Sequence, residues 1–373
     1  MIQSRQLVTP AVWLFYLAIV FEFLFMITPF ALYFYTAYRP GLSLLNDSPL
    51  TAWLTGFFLP HFSQTSSTLL ATLNSAGWAL GYLGLSLFLF SAVQLYGSKL
   101  LRRGAVTGFL YKYVRHPQYL ALALLGLGMT LIWARFIVLL TFVSMLFVYR
   151  MLARVEEQNC VRKYGAAYEE YQARTGMFLP PLVPGKLGHR FRIGLLGPPW
   201  RGLAMYVAAI AVAVLIGAVL REHTLRSVAA VYQDEVAIVS PAMLPEEHLL
   251  EAYGLAAQAP GLEQRIQVAD TPLLVYVVPR DWYLPDLPLD SHEVVRRRGG
   301  HGTPARFDRI HYRVLFTSIR SHTQQPRGRD ILRKAYAIEP LVLVELDMQS
   351  GRIVGQSEPP GSVIWGQISS PLL

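Results

Sequence analysis

The chain of 373 residues is 53% hydrophobic and only 15% charged, with a mean hydropathy of +0.35, which excludes an ordinary soluble protein. Its net charge of +9 is uneven: residues 1–220 hold 17 Lys and Arg against 6 Asp and Glu, while residues 221–373 hold 16 against 18. The basic excess lies beside apolar segments, so it argues for a membrane and against nucleic acid as a partner. A single cysteine, Cys160, excludes an internal disulfide and a Cys-rich zinc site. The expected fold is a polytopic all-α membrane domain of about five transmembrane helices over residues 1–220. A soluble α+β domain over residues 221–373 is expected to follow.

Val12 to Tyr35 is apolar apart from Glu22. At about 1.5 Å per residue it is long enough to cross a hydrocarbon core of about 30 Å. No small-residue cleavage site follows, so it reads as a retained span. An ionisable residue in a span flags function, but a hydrogen bond from Glu22 to a neighbouring helix is an equal reading. Asp47 to Phe62, "DSPLTAWLTGFFLPHF", is short and proline-containing, which suits an interfacial or re-entrant segment. Ala76 to Tyr96 predicts the second span, closed by Lys99, Arg102 and Arg103. Pro117 to Ala134 and Phe136 to Met151, parted only by Arg135, predict a helical hairpin. Leu203 to Leu220 is the fifth candidate.

With the N-terminus cytoplasmic, only Arg39 and Arg135 of the basic residues in the front half fall outside. That asymmetry is the positive-inside pattern. It places residues 99–117 and 150–202 together at the cytoplasmic face and the domain from Arg221 onward outside the cytoplasm.

In the rear part, "EHTLRSVAAVYQDEVAIVS" (Glu222 to Ser240) reads as a helix. "PLLVYVV", "RIHYRVLFTSI", "PLVLVELD" and "GRIVGQS" read as strands, the last two as a hairpin across "MQSG". "RRRGGHGTPAR", from Arg296, reads as a loop. Its glycines lack the strand-to-helix setting of a phosphate loop. His61, His301 and His311 show no metal-ligand spacing and read as surface or core residues, so no metal is expected.

The chemistry-bearing stretch is "YKYVRHPQYLALALLG", Tyr111 to Gly126. Pro117 suits the first turn of a helix, which puts Arg115 and His116 at a helix N-terminus, a place that favours anions. Arg115 and Lys112 also suit ordinary juxtamembrane anchors. Of the six acidic residues in residues 1–220, four stand in "RVEEQNCVRKYGAAYEEYQARTGMFLP": Glu156, Glu157, Glu169 and Glu170. Glu169 and Glu170 read as a solvated helix face. Glu156 and Glu157 follow the returning span on the side of Arg115 and His116. Carboxylates so close to lipid need a partner, either a bound ligand or a basic residue such as Arg154 or Arg115. Cys160 reads as structural.

"YKYVRHPQYL", then "RVEEQNCVRKYGAAYEEY" and "FLPPL", resembles the core of the isoprenylcysteine carboxyl methyltransferase family, within a wider group that includes the phospholipid N-methyltransferases. The resemblance covers about residues 76–182. It implies S-adenosylmethionine as cofactor and methyl transfer at a membrane interface to an embedded amphiphile, lipid or prenyl-type; the charge asymmetry puts that site at the cytoplasmic face. By the same resemblance Tyr111, His116 and Tyr119 would line the cofactor pocket, Arg115 would place the cofactor carboxylate, and Glu156 and Glu157 would meet its ribose or amino groups. Such transfer rests on alignment of donor and acceptor and needs no metal. A carboxylate acceptor needs no base, whereas an amine acceptor makes Glu156 or Glu157 a base candidate. The family usually has Gly-Pro before the motif tyrosine; here those positions are Phe109 and Leu110.

Sterol reductases end in a similar module, which "EEQNCVRKYG" resembles, and imply NADPH instead. Gln118 and Tyr168 stand where that module has Asn and Trp. A membrane-anchored binding module without catalysis is the third reading. No family resemblance is found for the rear domain, nor any indication of its protein partner.

Overall fold

A computed structural model describes residues 48–61, 63–101, 106–180, 199–298, 301–360 and 371–372, together with Leu17, Leu24 and Leu45. Apart from Leu17 and Leu24, the span expected at Val12 to Tyr35, with Glu22, lies outside the described residues. The helices are α1 (Thr68–Leu100), α2 (Pro117–Ile132), α3 (Phe136–Tyr164), α4 (Ala166–Arg174) and α5 (Pro199–Ser227). Among the described residues three stretches are long and apolar enough to cross a membrane: Thr68–Ser98, Phe136–Tyr164 and Trp200–Ser227. Helix α2 is apolar but has only 16 residues. The chain therefore has a helical membrane part joined to a sheet-containing part, with three described helices of spanning length where five spans were expected.

Contacts divide the chain into two units, the first holding Ala76–Thr130 and Leu140–Ala213, the second Thr36–Ser75, Leu131–Leu139 and Val214–Leu373. In the first unit α1 and α2 cross at their glycines, and α3 meets α5 where Ser144 and Tyr206 hydroxyls lie 2.9 Å apart. Leu83, Leu89, Phe90 and Val207 remain exposed, as expected of lipid-facing side chains.

The second unit is built on a six-stranded sheet in the order β1 to β6: Ala229–Tyr232, Val236–Ser240, Leu273–Pro279, His311–Arg320, Ala337–Asp347 and Arg352–Ser357. Every neighbouring pair is antiparallel except β2 and β3. That parallel pair needs a crossover, supplied by helices α6 (Glu246–Ala256) and α7 (Leu262–Ala269). Leu249, Ala252 and Ala256 of α6 cover one face of the sheet with Val275, Val277 and Phe316. Ile331 and Leu332 of a short helix, Arg329–Lys334, pack with Leu274, Tyr276 and Leu315 on the other. Both faces are covered, so β3 is buried at every position, which is why its sequence is an unbroken apolar run.

Two expectations are corrected. The helix expected over Glu222 to Ser240 ends at Ser227, and β1 and β2 follow. "VAAVY" and "VAIVS" flank a polar turn, and β-branched residues that pair across strands outweigh the helical reading of the alanines. The arginine run at Arg296–Arg298 ends a helix, His292–Arg298, instead of lying in a loop. The four other strands and the hairpin across Met348 to Gly351 stand as expected.

Within this unit Arg135 turns inward, its guanidinium 4.0 Å from the Phe57 ring centroid and Nη1 donating to Thr55 O at 2.5 Å. The same segment carries the Phe58 N to Ala134 O hydrogen bond of 2.7 Å. The expected interfacial stretch is a short 3-10 turn, Ala52–Thr55, followed by irregular chain.

Candidate active site at the ends of the helical hairpin

Pro117 begins α2, where its missing N–H costs nothing. The extended residues before it pair with the chain that leaves α4. Arg115 N donates to Gly176 O at 2.8 Å, His116 N to Met177 O at 3.1 Å, and Gly176 N to Tyr113 O at 3.3 Å. Two distant loops thus become one short parallel pairing. It sets Arg115 and His116 over the end of α3.

On α3 the buried positions Met145, Tyr149, Ala153 and Glu157 recur every four residues, one face of a helix. Glu157 prolongs this stripe and is buried. Glu156 lies about 100° away round the helix, and its side chain is 45% exposed. The two adjacent carboxylates therefore have different surroundings. Gly165 then turns the chain with φ of 57°, where a side chain is disfavoured. The turn brings α4 back so that Tyr171 and Gln172 reach the same place.

Arg115 Nε donates to Glu157 Oε1 at 2.5 Å. Its Nη1 donates to Gln172 O at 3.1 Å and to Thr175 O. Gln172 Nε2 donates to the other Glu157 oxygen at 3.2 Å. His116 lies between the two carboxylates, Nδ1 3.3 Å from Glu156 Oε2 and Nε2 3.4 Å from Glu157 Oε1. Burial opposes the charged imidazolium, but the two carboxylates outweigh it and raise the His116 pKa above 6.5. Tyr119 donates its hydroxyl to Glu156. Its ring is stacked between His116 and Tyr149, with centroids 5.6 and 4.8 Å away. Tyr111 donates to Gln118 Oε1 at 3.2 Å, and Tyr171 donates to Tyr111 O at 2.6 Å. Burial and the Glu157 carboxylate raise the Tyr171 pKa to about 12 despite Arg115 nearby, so the phenol stays a donor.

All six sequence-selected residues, Tyr111, Arg115, His116, Tyr119, Glu156 and Glu157, are brought together. Their surroundings differ. Tyr111 and Arg115 are buried, and the donors of Arg115 named above are held by protein acceptors. Of the two readings of Glu157, pairing with Arg115 is the one observed. Glu169 and Glu170 are exposed as expected, Glu170 3.4 Å from Arg174. Sequence reasoning missed Tyr149, Gln172 and Thr175. The four-residue spacing from Glu157 pointed to Tyr149; nothing in the sequence marked the other two. Phe109, at the place where the resembled family usually has glycine, holds φ of 51° and is 75% exposed. The backbone keeps a glycine-like form there without the glycine.

The raised His116 pKa has a consequence for stability. A base whose folded pKa lies above its unfolded value contributes fully below 6.5, and that contribution disappears as pH rises through the folded value. The stability advantage of the wild type over His116→Gln should therefore shrink across that window. Thermal unfolding at a series of pH values measures it, and a pH-independent difference would contradict the His116–carboxylate pairing.

Residues 87–167 match the family model described as phospholipid methyltransferase. This segment, comprising the hairpin and its flanks, is a domain of that family, the group of membrane methyltransferases that the motif resembles. No curated protein and no solved structure matches the chain.

Proposed function

We propose that the protein is an S-adenosylmethionine-dependent methyltransferase that acts on a membrane-embedded amphiphile bearing a carboxylate or an amine. The observation that carries this reading is the meeting of Arg115 and His116 with Glu156 and Glu157 at one end of the hairpin. The donor set fits the cofactor. Glu156 is a half-exposed carboxylate able to accept hydrogen bonds from ribose hydroxyls or an ammonium group. His116 is buried, and its ring nitrogens face carboxylates without completing a hydrogen bond of normal geometry to either. S-adenosylmethionine supplies an electrophilic methyl group when bound.

The chain's own residues then divide the work. Glu156, held by Tyr119, is the carboxylate turned toward the ligand, with His116 beside it as a donor. Arg115 and Glu157 position these groups instead of touching the reacting atoms. For an amine acceptor Glu156 is the available base. Residues 1–220 form the membrane domain, with the site at the cytoplasmic face and residues 221–373 as the extracytoplasmic domain; the positive-inside charge pattern supports this orientation.

Titrating purified protein with S-adenosylmethionine and separately with NADPH tests the reading. S-adenosylmethionine is expected to bind and NADPH to fail. Glu156→Gln should weaken binding about ten- to hundredfold, as expected for loss of charge-assisted hydrogen bonds. Membranes supplied with labelled cofactor and a lipid extract should transfer label to lipid. Binding of NADPH alone would overturn the assignment in favour of a reductase, and binding of neither would favour a module without catalysis.

A further inference from the structure

His61 and His301 are 240 residues apart in the chain, yet both approach one carboxylate. Asp286 lies on the loop after β3. The antiparallel bridge between Tyr283 and Gly302 brings His301 beside that loop, with hydrogen bonds of 2.8 and 3.0 Å. His61 comes from the irregular chain before α1, its ring stacked on Phe57 at 4.3 Å. All three residues belong to the second unit.

We propose that His61, Asp286 and His301 form a binding site for a divalent transition metal of the zinc class. His61 Nε2 is 3.4 Å and His301 Nε2 is 3.1 Å from the same Asp286 oxygen, Oδ2. Metal–ligand bonds of about 2.0–2.2 Å around a tetrahedral centre set donor separations of about 3.3–3.6 Å. The candidate donor atoms all lie within 4.8 Å of one another. The imidazole planes are nearly perpendicular, at 85°, so the rings avoid each other while their nitrogens converge. Side chains at His61, Asp286 and His301 are only 3%, 16% and 10% exposed. Asp286 Oδ2 is itself buried and faces both imidazole nitrogens.

Two imidazoles and one carboxylate suit zinc, with a fourth place left for water. Arg135 lies close enough to act electrostatically on His61 and Asp286. Its positive charge opposes a second cation and weakens the expected affinity. The site would clip the chain before α1 to two loops of the sheet domain. It is independent of the methyltransferase reading.

The test uses the full chain without an affinity tag, stripped with chelator and titrated with Zn(II) and then Co(II). About one equivalent is expected to bind, with visible d–d bands for Co(II) and a rise in unfolding temperature for Zn(II). Asp286→Asn and His301→Ala should each weaken binding more than about a hundredfold, with circular dichroism unchanged. If a variant misfolds, the wild-type titration and Co(II) spectrum still decide. Absence of stoichiometric binding to the wild type would overturn the proposal and leave an ion-paired His–Asp–His cluster. So would binding that both folded variants retain.

Discussion

Arg115→Ala is expected to destabilise the membrane unit by about 3–5 kcal/mol and to abolish S-adenosylmethionine binding, because it leaves the Glu157 carboxylate buried without its cation. The pair is enclosed, with side chains 4% and 11% exposed, so water cannot replace the lost partner cheaply. The Glu157→Ala variant strands the guanidinium in the same way. Arg115 also joins the end of α4 through Gln172 O and Thr175 O, so the loss spreads to the pairing that places His116. The double variant should cost clearly less than the sum of the singles, since neither charge is then left alone. Thermal unfolding of all four proteins, with cofactor titration, measures this cycle. Additive losses would mean that the two side chains act independently.

Gly128→Ala is expected to destabilise the helical unit by about 1–3 kcal/mol, although alanine is the better helix former. A Cβ at Gly128 would lie 2.5 Å from Gly81 N and 2.6 Å from Gly77 O. On the facing helix a Cβ at Gly84 would lie 2.3 Å from Leu125 N. The neighbours that must yield are backbone atoms, so the helices have to move apart. Gly77 and Gly81 stand four apart on α1, the small-residue spacing that lets helix backbones approach in a membrane. Helix α2 carries Tyr119 near its start, and separation from α1 displaces the site without altering a single polar group in it. Methyl transfer and unfolding temperature should both fall. Wild-type values for both would show that the crossing has slack.

Much of this architecture is legible in the chain because it depends on short-range pattern. Pro117 and Phe136 open helices where the apolar runs begin. The β3, β4, β5 and β6 strands follow from runs of β-branched and aromatic residues. The stretch after Ser227 reads as helix because "VAAVY" suits either state alone; pairing with Val236–Ser240 decides for a strand. At the site, the residue types and the order Arg-His-Pro then Glu-Glu are legible. The difference between Glu156 and Glu157 is not, since adjacent carboxylates look alike until the face of α3 that packs inward is known.

The apolar helices, the hairpin, most strands and the residues that meet at its ends can be read from the order of amino acids, because helical and strand periods and charge placement are local properties. That Arg115 is held by Glu157, that Gln172 and Thr175 complete its surroundings, and that His61, Asp286 and His301 converge follows from three-dimensional packing. Those contacts join positions far apart in the chain. Their partners are chosen by which backbones pack close enough for side chains to meet, a choice made by the whole fold and not by any segment of it.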